Sequence, residues 1–306
     1  MNKGSTEKQV FNLAPEDYLT QALSSSWQAR FDKILTYIVN HISEQINWDQ
    51  LAQECAISPS HFHYMFRIVL NESPGQYLRR MRLKVACHYL VAYPKMPVID
   101  IAVDVGFSTS QALAKVLKRD LGVTASAIRA ASYLGDDGKL SDIYMRLAAP
   151  NDAEKYSLEG KLAKEIPMQI SSEPEQYFYT KPCFGSDLHS TAKKWKSMAP
   201  ASAADLCMIT HSQDIDNNYH ETEFKLGYEA ENLSANYSIA AMKFLSCQVK
   251  ISSESGYFTA WHSLYQYMLR HNLQWQDNAI VIERIHNPRS IFSRTMDMTL
   301  SVSLSD

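Results

Sequence analysis

One pattern occurs twice in this chain, about fifty residues apart. The first copy reads Leu51-Ala52-Gln53-Glu54-Cys55-Ala56-Ile57-Ser58 and continues through Phe62, Met65, Phe66, Arg67, Asn71, Ser73 and Pro74. The second reads Ile101-Ala102-Val103-Asp104-Val105-Gly106-Phe107-Ser108 and continues through Leu113, Val116, Leu117, Lys118, Gly122, Thr124 and Ala125. The offset is fifty up to the serine and fifty-one after it, so the second turn is one residue longer. Each copy has the pattern of a helix, a tight turn and a second helix. Two such units on one chain imply two helices entering DNA.

The charge distribution agrees. The formal net charge of −3 averages two unlike parts. Residues 28–132 carry 12 Lys+Arg against 8 Asp+Glu, whereas residues 133–306 carry 16 against 22. A basic half beside an acidic half is expected when one domain meets phosphate. The five cysteines, at 55, 87, 183, 207 and 247, form neither a CxxC pair nor a Cys/His cluster, which argues against a zinc site and suits a reducing compartment. No long apolar run opens the chain and none approaches a membrane span, so the expected location is the cytoplasm, with no membrane partner.

Residues 1–29 read as an N-terminal tail, disordered over 1–14, with a short helix at 15–29. From Arg30 a helical period runs through Phe31, Ile34, Leu35, Ile38 and Ile42. Asn47, with Gln50 three residues on, signals the start of a helix over 48–56. Ser58-Pro59 starts another that ends near Asn71. A long connector follows over 74–92, stopped by Pro94 and Pro97. Helices at 98–105 and 109–120 and a turn at Ser126–Ala131 complete a domain of seven helices over 30–132. If both units read one face of a duplex, their second helices must sit about 34 Å apart. Residues 133–163 are polar and read as linker. Over 164–306 the period changes to two, in the order β-α-β-β and again β-α-β-β. The fold class is therefore α followed by α+β: an all-α domain of two helix-turn-helix units joined by a long helix, then a duplicated βαββ antiparallel-sheet domain.

The block 31–130 resembles the AraC/XylS transcription regulators. The resemblance rests on Leu51-Ala52, Ser58, Phe62-x-x-x-Phe66-Arg67, Ser73-Pro74-x-x-Tyr77-Leu78, Arg82-Leu83-x-x-Ala86, Ile101-Ala102-x-x-Val105-Gly106-Phe107 and Leu117-Lys118-x-x-Leu121-Gly122. The chain departs from that family at Leu113 and Leu117, where Phe is usual, at Ala125, where Pro is usual, and at Ile128-Arg129, where Tyr-Arg is usual. Residues 164–306 are similar to the gyrase-inhibitor-like small-molecule-binding domain, on the β-α-β-β order, Gly256-Tyr257-Phe258-x-Ala260-Trp261 and Ile280-Val281-Ile282-Glu283-Arg284-Ile285-x-Asn287-Pro288.

These resemblances imply a bacterial, DNA-binding regulator whose C-terminal domain binds a small-molecule effector and modulates promoter binding or activation. By family correspondence the DNA-contacting residues are Ser60, His63, Tyr64 and Arg67 in the first unit and Ser110, Gln111, Ala112 and Lys115 in the second. Gln pairs bidentately with adenine and Lys favours guanine. Arg79, Arg80, Arg82 and Lys84 form a basic run on the connector, where phosphate contact and intrahelical pairing are both open; Arg82 resembles a structural position of the family. Effector contacts are expected from Glu283, Trp261, Tyr257, Phe258, Tyr179 and Tyr228, a set that suits an aromatic or cationic ligand; Glu229 is the first-half counterpart of Glu283. The implied partners are double-stranded promoter DNA, the effector and RNA polymerase, with the protein a monomer or weak dimer. No spacing of Ser, His, Asp or Cys supports nucleophilic catalysis, so no catalytic residue, cofactor or metal is expected, and the chain reads as a non-enzyme. Two other readings of the second domain stay open, a protein-interaction module and a small-molecule hydrolase.

Overall fold

The computed structural model describes residues 10–134, 136–150, 157–184, 188–215, 222–274, 278–286, 288 and 294–305. They divide into two compact units, a helical one of Ala14–Lys161 with Ser253–Phe258, and a sheet unit of the remainder. A two-residue strand, β1 (Phe11–Asn12), precedes the helices and belongs to the sheet unit. Part of the expected disordered tail is therefore ordered, because Phe11 and Asn12 find strand partners in Val249 and Lys250; residues 1–9 lie outside the described ones.

The helical unit begins with α1 (Pro15–Thr20) and α2 (Ser25–Asn40) in place of the single helix expected at 15–29. The first helix-turn-helix follows as α3 (Trp48–Glu54) and α4 (Pro59–Leu70). The Asn47 side chain caps α3 by accepting from the backbone N–H of Asp49 and Gln50. Ser73 and Gln76 form a reciprocal capping box at the start of the connector α5 (Pro74–Ala92). The second helix-turn-helix is α6 (Val98–Asp104) and α7 (Ser110–Leu121), and α8 (Ala125–Tyr133) follows. The first unit roots its later helix, α4, in an aromatic cluster, with Phe62 and Phe66 packed among Phe31, Trp48 and Tyr77. The second is rooted in aliphatic side chains, with Leu113, Leu117 and Leu121 fully buried.

The segment 133–163 is not a plain linker. It contains α9 (Asp137–Arg146) and α10 (Leu158–Leu162), and Leu140, Ile143, Tyr144 and Leu147 are buried. Those four stand at i, i+3, i+4 and i+7, the spacing of one helix face, and the polar residues between them mask it.

The sheet unit contains β2 (Gln169–Glu173), β3 (Gln176–Phe184), α11 (Leu188–Met198), β4 (Asp205–His211), α12 (Ser212–Ile215), β5 (Glu223–Glu229), β6 (Tyr237–Ile239), β7 (Met242–Ile251), α13 (Glu254–Arg270), β8 (Ile280–His286) and β9 (Met296–Ser303). The strands form one sheet in the order β1-β7-β9-β8-β4-β5-β3-β6, with β2 also on β7. Apart from the β1–β7 pair, all pairs are antiparallel. β5 lies between β3 and β4, β9 lies between β7 and β8, and β4 pairs with β8.

The two helix-turn-helix turns differ in one chemical detail. Ala56 and Gly106 are equivalent by the fifty-residue offset, and both are left-handed, with φ of 53° and 82°. A left-handed backbone costs a residue with a Cβ roughly 1–2 kcal/mol, part of which glycine forfeits through its larger unfolded entropy. Ala56→Gly should therefore raise stability by about 0.5–1 kcal/mol. Gly106→Ala should destabilise, because a Cβ there would stand 2.6 Å from the Arg82 guanidinium. Thermal unfolding of the two variants beside the parent checks both signs.

Candidate nucleic-acid interface

On α4 the side chains of Ser60, His63, Tyr64 and Arg67 are exposed, on the side away from buried Phe62, Phe66 and Val69. They recur at i, i+3, i+4 and i+7 and so share one helix face. Tyr64 is 62% exposed, and Ile68 one turn on is 60% exposed, so an apolar strip continues the face. His61 lies over Trp27, with ring centroids 5.4 Å apart. The Ser58 hydroxyl makes no capping bond to the first turn of α4.

On α7, Gln111 and Lys115 are exposed, and Ser110 and Ala112 partly so. The Ser110 hydroxyl donates to Gln111 Oε1 at 3.3 Å. Thr109 caps the helix through the Ala112 N–H. Lys118 Nζ donates forward to the Gly122 carbonyl at 3.1 Å. Arg119 is bound to Asp120, which also takes Arg79 at 3.0 Å. Hydrogen bonding from Arg119, with the Arg79 charge adding, holds the Asp120 carboxyl below the usual carboxylate range.

The connector's basic run is committed elsewhere. Arg82 donates to the carbonyls of Ile42, Glu44 and Gly106 at 2.8, 2.7 and 3.0 Å, tying the turn after α2 to the turn of the second unit. Arg80 is largely buried, its side chain 11% exposed, and grips both oxygens of Glu72 through Nε at 3.2 Å, with Glu16 at 3.8 Å and the Leu147 carbonyl at 3.3 Å. Burial works against the Arg80 charge and Glu72 more than offsets it, so its pKa stands above the ordinary value. Lys84, one turn on, is 6% exposed, and burial pulls its pKa down while Glu159, Glu16 and Glu254 support its charge. Glu159 is fully buried, accepts from the Ala149 N–H at 2.9 Å and the Ser255 hydroxyl at 3.2 Å, and is pushed up by that burial. His88 and Glu254 pair at 3.3 Å in the same unit. Positions 79, 80, 82 and 84 cover several faces of a helix, so adjacency in sequence did not make them one patch.

In the sheet unit, Trp261 Nε1 donates to Glu283 Oε1 at 3.0 Å, and Tyr265 stacks beside Trp261 at 5.8 Å. Glu283 stands opposite Met208 and Leu300. Met208 stands opposite Leu226, and Tyr228, two residues along, opposite Tyr179, whose ring it stacks at 5.6 Å. Opposed residues share a sheet face, so Glu283, Tyr228 and Tyr179 lie on the same one. Glu229 lies on the other face, opposite Phe178, and pairs with Arg284 at 3.0 Å; the register gives Met208, not Glu229, as the neighbour of Glu283. Tyr257 and Phe258 are in the turn of α13 that groups with the helical unit, where Phe258 stacks on Tyr144 at 5.3 Å. Among the described residues there is no metal-binding cluster and no helix long and apolar enough to cross a membrane. All five cysteines are buried, and burial pushes the Cys207 and Cys247 thiols up to about 12.

Paired helix-turn-helix units with exposed second helices on a shared connector define a DNA-binding regulator. A family description of a helix-turn-helix domain matches residues 51–131. The regulatory protein SoxS of Salmonella typhimurium is 31% identical over 104 residues, 34% of this chain and 96% of SoxS. The HTH-type transcriptional activator RhaS of Escherichia coli is 29% identical over 121 residues, 40% of this chain; the match spans only 43% of RhaS. Among solved structures, the DNA-binding domain of AdpA in complex with a target DNA is 28% identical, covering 32% of this chain and 87% of that one at a TM-score of 0.30. The chain belongs to the AraC/XylS family of helix-turn-helix transcription regulators.

Because Arg80 is buried in an ion pair, Arg80→Ala should cost about 3–5 kcal/mol and leave the salt dependence of DNA binding unchanged. Denaturant unfolding and binding titrations at several salt concentrations measure the two separately.

Proposed function

We propose that this regulator binds an asymmetric promoter site through α4 and α7 in adjacent major-groove segments, and that its sheet unit senses a small molecule. The exposed faces of both helices support the first part: Ser60, His63, Tyr64 and Arg67 meet one block, and Ser110, Gln111, Ala112 and Lys115 the other. On α7, Gln111 and Lys115 are the two with a bidentate or cationic match to a base edge, each contributing roughly 1–3 kcal/mol of discrimination. Gln111→Ala and Lys115→Ala should weaken specific binding and relax preference in one block only. Sequencing of genomic fragments selected by the purified protein at fixed salt tests this, since phosphate contacts make affinity salt-dependent; unchanged motifs in the variants would refute the assignment.

The observation that carries the second part is the Trp261–Glu283 hydrogen bond on a strand with apolar neighbours. A carboxylate oriented by an indole, with stacked tyrosines on the same sheet face, suits an aromatic cation through charge and cation–π attraction. The strand order supports reading the sheet as two βαββ halves joined through β4 and β8, a gyrase-inhibitor-like arrangement. The effector shifts promoter binding, or contact with RNA polymerase, only as far as its affinity differs between two states of the protein. The protein acts as a monomer or weak dimer in this reading.

A lipophilic aromatic cation such as tetraphenylphosphonium, at a hundredfold excess over its dissociation constant, should stabilise the protein by about 2.7 kcal/mol. Glu283→Gln should remove the preference for that cation over an aromatic acid, as thermal-shift titrations will show. No stabilisation by either class would favour a protein-interaction module instead.

A further inference from the structure

The second reading helix is held by a part of the chain that the family match does not reach. That match ends at residue 131, and α9 begins at Asp137. Its last residue, Arg146, donates from Nη1 to the Leu121 carbonyl at 2.8 Å. Leu121 is the last residue of α7, and its carbonyl is one of those a helix end leaves without a partner inside the helix. A cation there also complements the negative end of the helix dipole. Gly122 follows in the left-handed conformation, with φ of 70°, and a Cβ on it would stand 3.3 Å from Arg146 Nη1.

Arg79 of the connector also holds this end, through Asp120 at 3.0 Å. A cleft of about 270 Å³, lined in part by Gln76, Arg79, Asp120, Leu121, Arg146 and Leu147, opens beside these contacts. Leu117 and Leu121 are fully buried at this end of α7, and the two arginines add a directional restraint to that packing. At the corresponding end of α4, Val69 and Leu70 are buried in the aromatic cluster.

We propose that Arg146 is a positioning residue for sequence reading by α7: it fixes the C-terminal end of that helix and so sets where Gln111 and Lys115 meet the bases. The proposal rests on α7 being a base-reading helix. It assigns to α9, outside the matched domain, a part in the specificity of the second block.

The test uses the full chain and duplexes carrying the selected site with either block scrambled. The quantity read is the ratio of dissociation constants, scrambled over intact, for each block. Gln111→Ala first identifies the block that α7 reads; if it changes neither ratio, the underlying reading fails, and that result is distinct from failure of the proposal. Arg146→Ala should then cut the ratio for that block by about tenfold, the scale of one lost base discrimination. The ratio for the other block should stay within about twofold on the same scale. Mere loss of folded protein lowers the active fraction and leaves both ratios unchanged. Arg146→Lys, which keeps a cationic donor, should give an intermediate ratio for the α7 block, and it carries the same comparison if Arg146→Ala does not fold. Equal changes in both ratios, or no change in either, would overturn the proposal.

Discussion

The Arg80 side chain is largely withdrawn from water, and three parts of the helical unit converge on its guanidinium. Glu72 comes from the turn before the connector, Glu16 from α1, and the Leu147 carbonyl from the residue after α9. A buried pair adds little net stability over apolar packing, but an arrangement that strands one partner is heavily penalised. Directional contacts therefore select one setting of α1, α5 and the end of α9. Lys84 and Glu159 extend the same logic one turn along the connector, with Ser255 and the Ala149 N–H completing the carboxylate's contacts. The helix that carries both helix-turn-helix units is thus fixed on its buried side by charge as well as by Leu83, Ala86, Cys87 and Leu90.

The two units solve one geometric problem with different materials. The first packs rings, with Phe62 and Phe66 between Phe31 and Tyr77. The second has leucines at 113 and 117, where the wider family usually has Phe, and receives polar braces from Arg79 and Arg146. Arg82 links the halves by gathering carbonyls from the turn after α2 and from Gly106.

Much of the helical unit was legible because its signals are local. Asn47, Ser73, Asn71 and Gly122 mark helix ends by chemistry that acts within four residues. Segment 133–163 was misread because its average polarity concealed the face formed by Leu140, Ile143, Tyr144 and Leu147. The basic run on the connector was readable as charge, but its commitments to Glu72, Ile42 and Asp120 depend on chain segments brought together by folding. In the sheet unit the alternation located the strands, whereas the neighbour of Glu283 follows from register, a long-range property. Met208 is the residue beside Glu283. Phe258 belongs with Tyr144 for the same reason.

The position of α9 bears on how such a regulator can be assembled from parts. Its apolar face is buried within the helical unit, and its last residue bonds the C-terminal end of α7. The folded unit of this chain therefore extends past the matched domain. Recombination at residue 131 would uncover the core that α9 shields and open a helix end. Exchange of the sheet unit for another would preserve the helical unit only if the crossover fell beyond this extra helix.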